Sequence, residues 1–297
     1  MIGSTFELLR DNKNMKLKEV AAGIMATSQL SKIERDEHRP SLDNFIYLLN
    51  RLNVTYDEFF ELTEDEYYRH RQQLKPLISE TLRRKNPREM KKLLKTLTRY
   101  EGVYQDDYFT HMKAIVKAAF ITQTLSEVDL NKDFLIRQAL SPVISYLEKV
   151  NQWHFYELSL LNHSLYFYEY STALKLGEEA LKSIKKRYAE VYQNQYTRSL
   201  LNNLALLSLN QGDLIKAYDF ISMALAMPTD TKYLYENFFS RVVHQVICYR
   251  LKNGMYQDGE IPFILDVFSF MGLEDISQML LEFAIQHSLP LDSARRA

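Results

Sequence analysis

Apolar residues in the first sixty positions recur every three or four residues, which is the spacing of one buried face on an α-helix. Phe6 and Leu9 mark a first helix, and Leu17, Val20 and Ala21 mark a second. Three further helices are predicted from the apolar positions Leu30 and Ile33, then Leu42, Phe45, Ile46 and Leu49, and finally Phe59 and Phe60. The pattern therefore predicts five short helices, of which the second and third form a helix-turn-helix.

Polar residues stand where these predicted helices begin. Thr27 is expected to cap the third helix and Ser41 the fourth, because a hydroxyl at this position accepts a hydrogen bond from an unpaired amide. Thr55 and Glu58 have the spacing of a capping box before the fifth helix. The inward placement of Leu30 leaves the polar residues of the third helix facing outward.

The rest of the chain is also predicted to be helical, and it contains a weak internal repeat. Ala173 and Ala180 are seven residues apart, as are Ala217 and Ala224, and the second pair follows the first by 44 residues, from 173 to 217. Long helices precede these pairs, and turns at Gly212 and near residue 254 separate successive helices. Helical hairpins repeated in this way predict an α-solenoid that resembles tetratricopeptide repeats, with a longer period than the usual 34 residues.

Superposing the repeats predicts which residues face a groove. Leu161, Ala205 and Ile247 fall in the core, and two neighbouring rows are candidates for the groove: Leu158, Asn202 and His244, and Ser159, Asn203 and Gln245. Amide side chains suit peptide binding because each offers a donor and an acceptor to a peptide backbone. Further candidates are Asn162, Tyr166, Arg198, Phe238 and Arg241, with the arginines able to take a carboxylate. Alternatively, the polar residues cap helices or face water, and the aromatic residues belong to the core.

Composition agrees with a globular all-α protein of about two domains. The chain has 297 residues, 46% of them hydrophobic, with eight glycines and seven prolines. It has neither an uncharged apolar run of membrane-spanning length nor a secretory leader, so we expect a cytoplasmic protein without membrane contact. Cys248 is the only cysteine and is expected to be a buried thiol.

Charge is distributed unevenly at the start of the chain. Residues 1–63 carry eight Lys and Arg against ten Asp and Glu, whereas residues 64–99 carry eleven against five. The segment LRRKNPREMKKLLK at residues 82–95 would contact a DNA backbone, border a binding groove or cover a solvated helix.

The sequence offers little for catalysis. Its seven histidines include no HExxH pair, the single cysteine excludes a thiolate zinc site, and the eight glycines form no phosphate-binding loop or GxSxG turn. We therefore expect no enzymatic activity, no metal site and no cofactor.

The sequence IERDEHRPSLDNFIYLLNRLNVTYDEFF, residues 33–60, resembles the second half of the phage-repressor-type helix-turn-helix domain of the XRE regulators. That resemblance implies that Ser28, Gln29 and Lys32 meet base edges and phosphates, and that Glu34 pairs with Arg10 structurally. Leu17 stands where the family usually has Gln, and the turn before the third helix is one residue shorter. The predicted DNA-binding residues are Thr27, Ser28, Gln29, Ser31, Lys32, Arg35 and Arg39.

A head of this type, with SQLSKIER at residues 28–35, followed by a helical-repeat body containing YFYEYSTALKLGEEAL at residues 166–181, resembles the Rgg family of Gram-positive regulators. The resemblance implies a cytoplasmic receptor for an imported short peptide pheromone that forms a homodimer through its C-terminal helices and controls promoter DNA. For the dimer surface we predict residues 263–283, although a plain end cap of the solenoid explains their apolar surplus equally well.

The predicted organisation is a helix-turn-helix DNA-binding domain at residues 1–63, a linker at 64–75 and a helical-repeat domain for ligand binding and dimerisation at 76–297. The predicted function is quorum-sensing transcriptional regulation. Two alternatives stay open: a receptor whose solenoid binds a partner protein, and a phage-type repressor without a ligand.

Overall fold

The protein is helical throughout the part of the chain that the structure describes. This computed structural model describes residues 2–63, 65–126, 128–187, 190–229, 231–252 and 254–289, and within these ranges it contains sixteen α-helices, two short 3-10 segments and no strand. The all-α prediction is confirmed. The helices are α1 (Ile2–Asn12), α2 (Leu17–Ala21), α3 (Thr27–Glu34), α4 (Leu42–Leu52), α5 (Tyr56–Leu62), α6 (Glu66–Arg84), α7 (Pro87–Tyr104), α8 (Asp107–Thr124), α9 (Lys132–Lys149), α10 (Phe155–Ser164), α11 (Tyr170–Arg187), α12 (Glu190–Asn210), α13 (Leu214–Leu225), α14 (Leu234–Leu251), α15 (Glu260–Phe270) and α16 (Glu274–Gln286).

Contacts between residues divide the chain into two compact units, Met1–Phe109 and Thr110–Ala297. The first unit thus contains α6, α7 and the first residues of α8 in addition to the five head helices. Residues 66–75, predicted as part of a linker, instead form the first half of α6, whose N-terminus is capped by Asp65. Tyr68 of α6 packs against Tyr56 and Phe60 of α5, and these ring contacts explain why a polar segment is ordered as a helix.

The head has the core that its apolar pattern predicts. Phe6, Val20, Leu30 and Ile33 are buried, and the ring of Phe6 lies 4.7 Å from that of Phe59. In α4 the predicted stripe is partly wrong, because Leu42 and Ile46 are exposed. The buried residues of this helix are Leu48, Leu49 and Leu52. Both the predicted stripe and the row Leu48, Leu49 and Leu52 have helical spacing, and packing against the cluster around Phe6 buries the latter.

The second unit contains the predicted helical repeats. Each helix from α10 to α16 packs on its neighbour in sequence, and α10, α12, α14 and α16 also contact one another in succession. The helices α11, α13 and α15 form the other layer. This two-layer alternation is the architecture of a tetratricopeptide-like solenoid. Gly212 and Gly254 adopt positive φ angles of 79° and 74° at the turns after α12 and α14, as the repeat predicts.

Small residues bring neighbouring helices of the body close together. Ala173, Ala180, Ala217 and Ala224 are all fully buried, in agreement with the predicted repeat. At Gly177, an added Cβ would lie 2.6 Å from Cδ2 of Leu204, so glycine permits the close approach of α11 to α12.

Candidate DNA and peptide interfaces

The helix α3 presents a polar face to solvent, as the pattern predicts. Leu30 and Ile33 anchor its opposite face in the head core. The predicted DNA-binding residues all lie on or just after this helix, and all are exposed except Ser31, which is half-buried: Thr27, Ser28, Gln29, Ser31, Lys32, Arg35 and Arg39. Among these, Arg35 forms an exposed ion pair with Glu37 at 2.9 Å. Within the described residues, no hydrogen bond or ion pair holds the side chains of Ser28, Gln29 and Lys32.

The start of α3 differs from the prediction by one residue. Ala26 occupies the N-cap position, and Thr27 is the first residue of the helix. The caps predicted for the next two helices are confirmed, because the Ser41 hydroxyl accepts from the amide of Asn44 and the Thr55 hydroxyl accepts from the amide of Glu58. Without a side-chain cap, the first amides of α3 are left for other acceptors.

A buried ion pair fixes α3 to α1. The Arg10 guanidinium donates from Nε to Glu34 Oε1 at 2.7 Å and from a terminal nitrogen to Glu34 Oε2 at 2.9 Å. Only 12% of the Arg10 side chain and 4% of the Glu34 side chain are exposed. The hydrogen bonds that Arg10 donates to the Glu34 carboxylate raise the pKa of Arg10 above its ordinary value. The predicted structural pairing is therefore confirmed.

A second link between these helices was not anticipated from the sequence. The Asp36 carboxylate, just beyond the end of α3, accepts from the amides of Gly3 at 2.8 Å and Ser4 at 3.3 Å, and so caps the start of α1. Gly3 is required by the approach of the two helices, since an added Cβ would lie 1.9 Å from the carbonyl oxygen of Ile33. Asp36 lies in the left-handed region, at a φ of 58°, and its spacing in the sequence gives no signal of this contact.

The end of α2 is held by a side chain from α4. Arg51 donates to the carbonyl oxygens of Glu19 at 2.6 Å and Ala22 at 2.8 Å. Arg10, Asp36 and Arg51 thus tie α3 to α1 and α2 to α4. The polar face of α3 is consequently held in a defined orientation relative to the head core.

In the body, the predicted groove residues of α10 and α12 form one polar cluster. The amide of Asn203 donates to Asn162 Oδ1 at 3.1 Å, and the Tyr166 hydroxyl donates to Asn203 Oδ1 at 3.3 Å. Asn162 and Asn203 are half-buried, and 44% of Tyr166 is exposed. These three side chains bond one another and keep further donors and acceptors at the surface.

Two other predicted groove residues lie deeper. Arg198 is only 1% exposed and donates to the carbonyl oxygens of Ala224, Met227 and Pro228 at 2.9, 3.2 and 2.9 Å. It therefore caps the end of α13 instead of facing a ligand, and burial lowers its pKa. Arg198 was predicted to take a carboxylate because its sequence position does not reveal those carbonyls.

Asn202 is also buried in the packing between inner helices. Its Oδ1 accepts from the Ser240 hydroxyl at 2.8 Å, and its amide points to the carbonyl oxygen of Glu236 at 3.5 Å. Asn202 thus joins α12 to α14, while its sequence neighbour Asn203 faces the polar cluster of α10. The predicted core residues of the three repeats, Leu161, Ala205 and Ile247, are confirmed as fully buried.

Two adjoining clefts, of about 640 and 360 Å³, lie beside α14 and share the residues Thr229, Asn237, Arg241, Gln257 and Glu260. Arg241 donates to Glu260 Oε1 at 2.9 Å, and 51% of its side chain is exposed. Buried Gln245 donates to the same carboxylate and accepts from the amide of Gln257 at 2.8 Å. Phe238 lines the larger cleft and His244 the smaller. The clefts combine apolar walls with a cation, Arg241, that is paired with the Glu260 carboxylate.

His244 and Cys248 lie one helical turn apart at this site. The Cys248 sulfur is 3.4 Å from Nε2 of His244, and Cys248 is fully buried, as predicted. Burial lowers the pKa of His244, while the Glu260 carboxylate opposes that shift. His244 is therefore held in its neutral form at physiological pH.

Neither a metal site nor a membrane span is seen in the described residues. They contain no group of three or more His, Cys, Asp or Glu side chains arranged to hold a metal ion. None of their helices is long and apolar enough to cross a membrane.

Among solved structures, the chain is similar to the SHP pheromone receptor Rgg2 of Streptococcus dysgalactiae, with 22% identity, a TM-score of 0.66 and coverage of 96% of this chain and 99% of that one. It is also similar to a putative transcriptional regulator of Listeria monocytogenes EGD-e, with 17% identity, a TM-score of 0.74 and coverage of 96% of both chains. A third similar structure is PlcR of Bacillus thuringiensis, solved with the peptide PapR7 and DNA, with 14% identity, a TM-score of 0.64 and coverage of 94% of this chain and 98% of that one. These likenesses show the fold.

Family models match both parts of the sequence. A helix-turn-helix model matches residues 7–59, which contain α2 and α3. The model of the HTH-type transcriptional regulator Rgg, C-terminal domain, matches residues 104–280, more than half of the chain. The chain therefore belongs to the Rgg family of helix-turn-helix transcriptional regulators.

Proposed function

We propose that this protein is a cytoplasmic, peptide-responsive transcriptional regulator that binds promoter DNA through α3 and a short signalling peptide in the groove of its repeat body. The observation that carries the proposal is the polar face of α3, which is exposed, is tied to α1 by Arg10, and has no partner among the described residues at Ser28, Gln29 and Lys32. Membership of the Rgg family supplies the functional class.

DNA recognition follows from the chemistry of that face. The first turn of a recognition helix enters the major groove, where a Gln side chain pairs bidentately with adenine and Lys binds guanine or a phosphate. We assign Gln29 and Lys32 to base edges and Thr27, Ser28, Ser31, Arg35 and Arg39 to flanking bases and phosphates. For Arg35, binding requires exchange of Glu37 for a phosphate, at small cost because the pair is exposed.

Peptide binding is assigned to the Asn162–Tyr166–Asn203 cluster and to the clefts at Phe238, Arg241 and Gln245. The amides would bind the peptide backbone, Phe238 would contact an apolar side chain, and Arg241 would take a carboxylate in place of Glu260. Arg198 and Asn202 support these residues from the core. Peptide binding as such is supported by proteins of the same fold, since one is an SHP pheromone receptor and another was solved with the peptide PapR7 and DNA.

A homodimer is part of the proposal. One helix-turn-helix buries little DNA surface, and two heads on a twofold axis would bind half-sites about 34 to 36 Å apart. The predicted dimer surface, residues 263–283, exposes several large apolar side chains: Phe263, Phe270, Met271 and Leu273.

The DNA part is tested by selecting genomic fragments with the full-length protein. Enrichment of a few inverted repeats is expected, and it should be lost in Gln29→Ala/Lys32→Ala. The matched control is Gln138→Ala/Lys149→Ala, which removes the same residue types from an exposed position on α9. Unchanged enrichment in the α3 variant would favour the rival function, a receptor for a partner protein.

The peptide part is tested by selecting short random peptides on the same protein and measuring their affinities. Asn203→Ala and Arg241→Ala should weaken binding, whereas Asn210→Ala, at the exposed end of the same α12 helix, should not. Amidating the peptide C-terminus should reduce affinity for wild type but not for Arg241→Ala if Arg241 takes the carboxylate. Failure to select any peptide would favour a repressor without a ligand.

A further inference from the structure

Five cationic residues form a continuous row along one exposed face of α7. Each has another member of the row three or four residues away, and each is exposed to solvent: Arg88, Lys91, Lys92, Lys95 and Arg99. Residues three and four apart share a helix face. The opposite face of α7 is buried through Met90, Leu93 and Leu97, which fixes the orientation of the row. We call these five residues the α7 basic row.

The acidic side chains nearby are already paired with other cations. Glu80 binds Arg83 at 2.8 Å and Arg84, whose guanidiniums hold the pKa of Glu80 at about 2. Glu89 lies 3.7 Å from Arg84. Within the described residues, no carboxylate pairs with the α7 basic row, and Arg99 instead lies over the Tyr100 ring at 4.9 Å. The positive charges of the α7 basic row are therefore not neutralised by any carboxylate of the described residues.

This arrangement works against the stability of the helix itself. Like charges at spacings of three and four repel one another along the whole row. Arg88 and Lys91 also lie near the N-terminus of α7, where the helix dipole disfavours cations. A binding partner that neutralises the row would remove both penalties.

The row has the dimensions of a DNA-backbone contact. From Arg88 to Arg99 the helix rises about 16 Å, at about 1.5 Å per residue. One DNA strand carries a phosphate about every 3.4 Å along the axis, so this length corresponds to about five phosphates. An acidic protein partner fits less well, because none of the large exposed apolar residues lies between positions 88 and 99 to anchor an interface.

We infer that the α7 basic row is a second DNA contact, which binds phosphates independently of base sequence and compensates for the acidic helix-turn-helix head. The inference rests on the proposed DNA-binding function. It also rests on the place of α7, since residues 1–109, which include both the recognition helix and the row, form one compact unit. Residues 1–63 have two more acidic than basic groups, so the few cations that the head offers to phosphates need further cations from outside it.

The test compares the salt dependence of DNA binding by full-length variants. The probes are a genomic fragment enriched by wild type and a random-sequence duplex of equal length. Each phosphate contact contributes about 0.9 to the slope of log affinity against log salt, so Lys91→Gln/Lys92→Gln/Lys95→Gln should reduce that slope by about 2 to 3 on both probes. The ratio of specific to random affinity should stay unchanged.

The matched control is Lys149→Gln/Lys175→Gln/Lys182→Gln, which makes the same charge change at exposed positions of the second unit. Its salt slope should equal that of wild type. An unchanged slope in the α7 variant, or an equal fall in both variants, overturns the inference while leaving DNA binding by α3 intact. Loss of regulated transcription with an unchanged slope also overturns it and points to an acidic protein partner. If wild type enriches no genomic fragment and does not bind the random-sequence duplex, the proposed function fails as well.

Discussion

Removing either member of the Arg10–Glu34 pair should destabilise the helix-turn-helix, and the two single substitutions should differ. Glu34 is bonded by Arg10 alone among the described residues, whereas Arg10 also donates to the Met15 carbonyl oxygen at 3.2 Å and pairs with Asp11. Arg10→Met therefore leaves a buried carboxylate without a partner. Glu34→Gln leaves an arginine that keeps two of its acceptors and regains one from the Gln side chain.

The expected magnitudes follow from this asymmetry. Leaving one member of a buried pair uncompensated costs about 3 to 5 kcal/mol, and we expect Arg10→Met to fall in that range. A single charged hydrogen bond is worth about 1.5 to 3 kcal/mol, so Glu34→Gln should lie there. A unit of this size is stable by roughly 5 to 16 kcal/mol, at about 0.05 to 0.15 kcal/mol per residue. Either change thus removes a substantial share of that stability.

Hydrogen exchange of the α1 and α3 amides in the full-length protein measures the opening free energy of this region without unfolding the body. The control is Arg35→Met, which breaks an exposed pair and should change the opening free energy by less than about 1 kcal/mol. The double variant Arg10→Met/Glu34→Gln should be less destabilised than the sum of the single variants. An Arg10→Met protein with wild-type exchange in α3 would refute the reasoning.

Three further predictions concern packing and pH. Gly3→Ala should destabilise the head by about 1 to 3 kcal/mol in denaturant unfolding, because its Cβ would lie 1.9 Å from a carbonyl oxygen, whereas Gly102→Ala, with nothing within 4 Å, should not destabilise it. Arg198→Met should lower the melting temperature of the body, since three buried carbonyl oxygens lose their donor; an unchanged melting temperature would contradict its capping role. Burial lowers the pKa of His244 and His287, so the unfolded chain takes up protons first on acidification. The free energy of unfolding should therefore be unaffected by these histidines above pH 6.5 and should fall as the pH drops below it. In a His244→Gln/His287→Gln protein that fall should be smaller.

Periodicity was sufficient for most of the fold because burial of one helix face leaves a direct mark on the sequence. Phe6, Leu30 and Ile33 are core residues as predicted, and the repeat alanines pack between helices. In α4, however, two apolar stripes overlap, and only the position of Phe6 and Phe59 decides which one is buried. The linker prediction failed similarly, because α6 is ordered by ring contacts from Tyr68 that its own polar sequence does not reveal.

The candidate sites were predictable only where a residue acts on the face of its own helix. The exposure of Gln29 and Lys32 follows from the burial of Leu30 and Ile33. The capping of α1 by Asp36 and the burial of Arg198 depend on backbone groups of distant helices, which single-sequence spacing cannot locate. Long-range contacts of polar groups with the backbone carry no periodic signal, and these are the contacts that support both candidate interfaces.

The central claim is that peptide binding in the body and DNA binding by the head are coupled in one chain. We would measure the affinity of full-length protein for its enriched genomic fragment with and without the selected peptide, and the affinity for the peptide with and without that fragment. Linkage requires both ratios to be equal, and we expect a common factor different from one, typically about 5-fold to 150-fold for allosteric proteins. Equal affinities with and without the second ligand would contradict a peptide-responsive regulator.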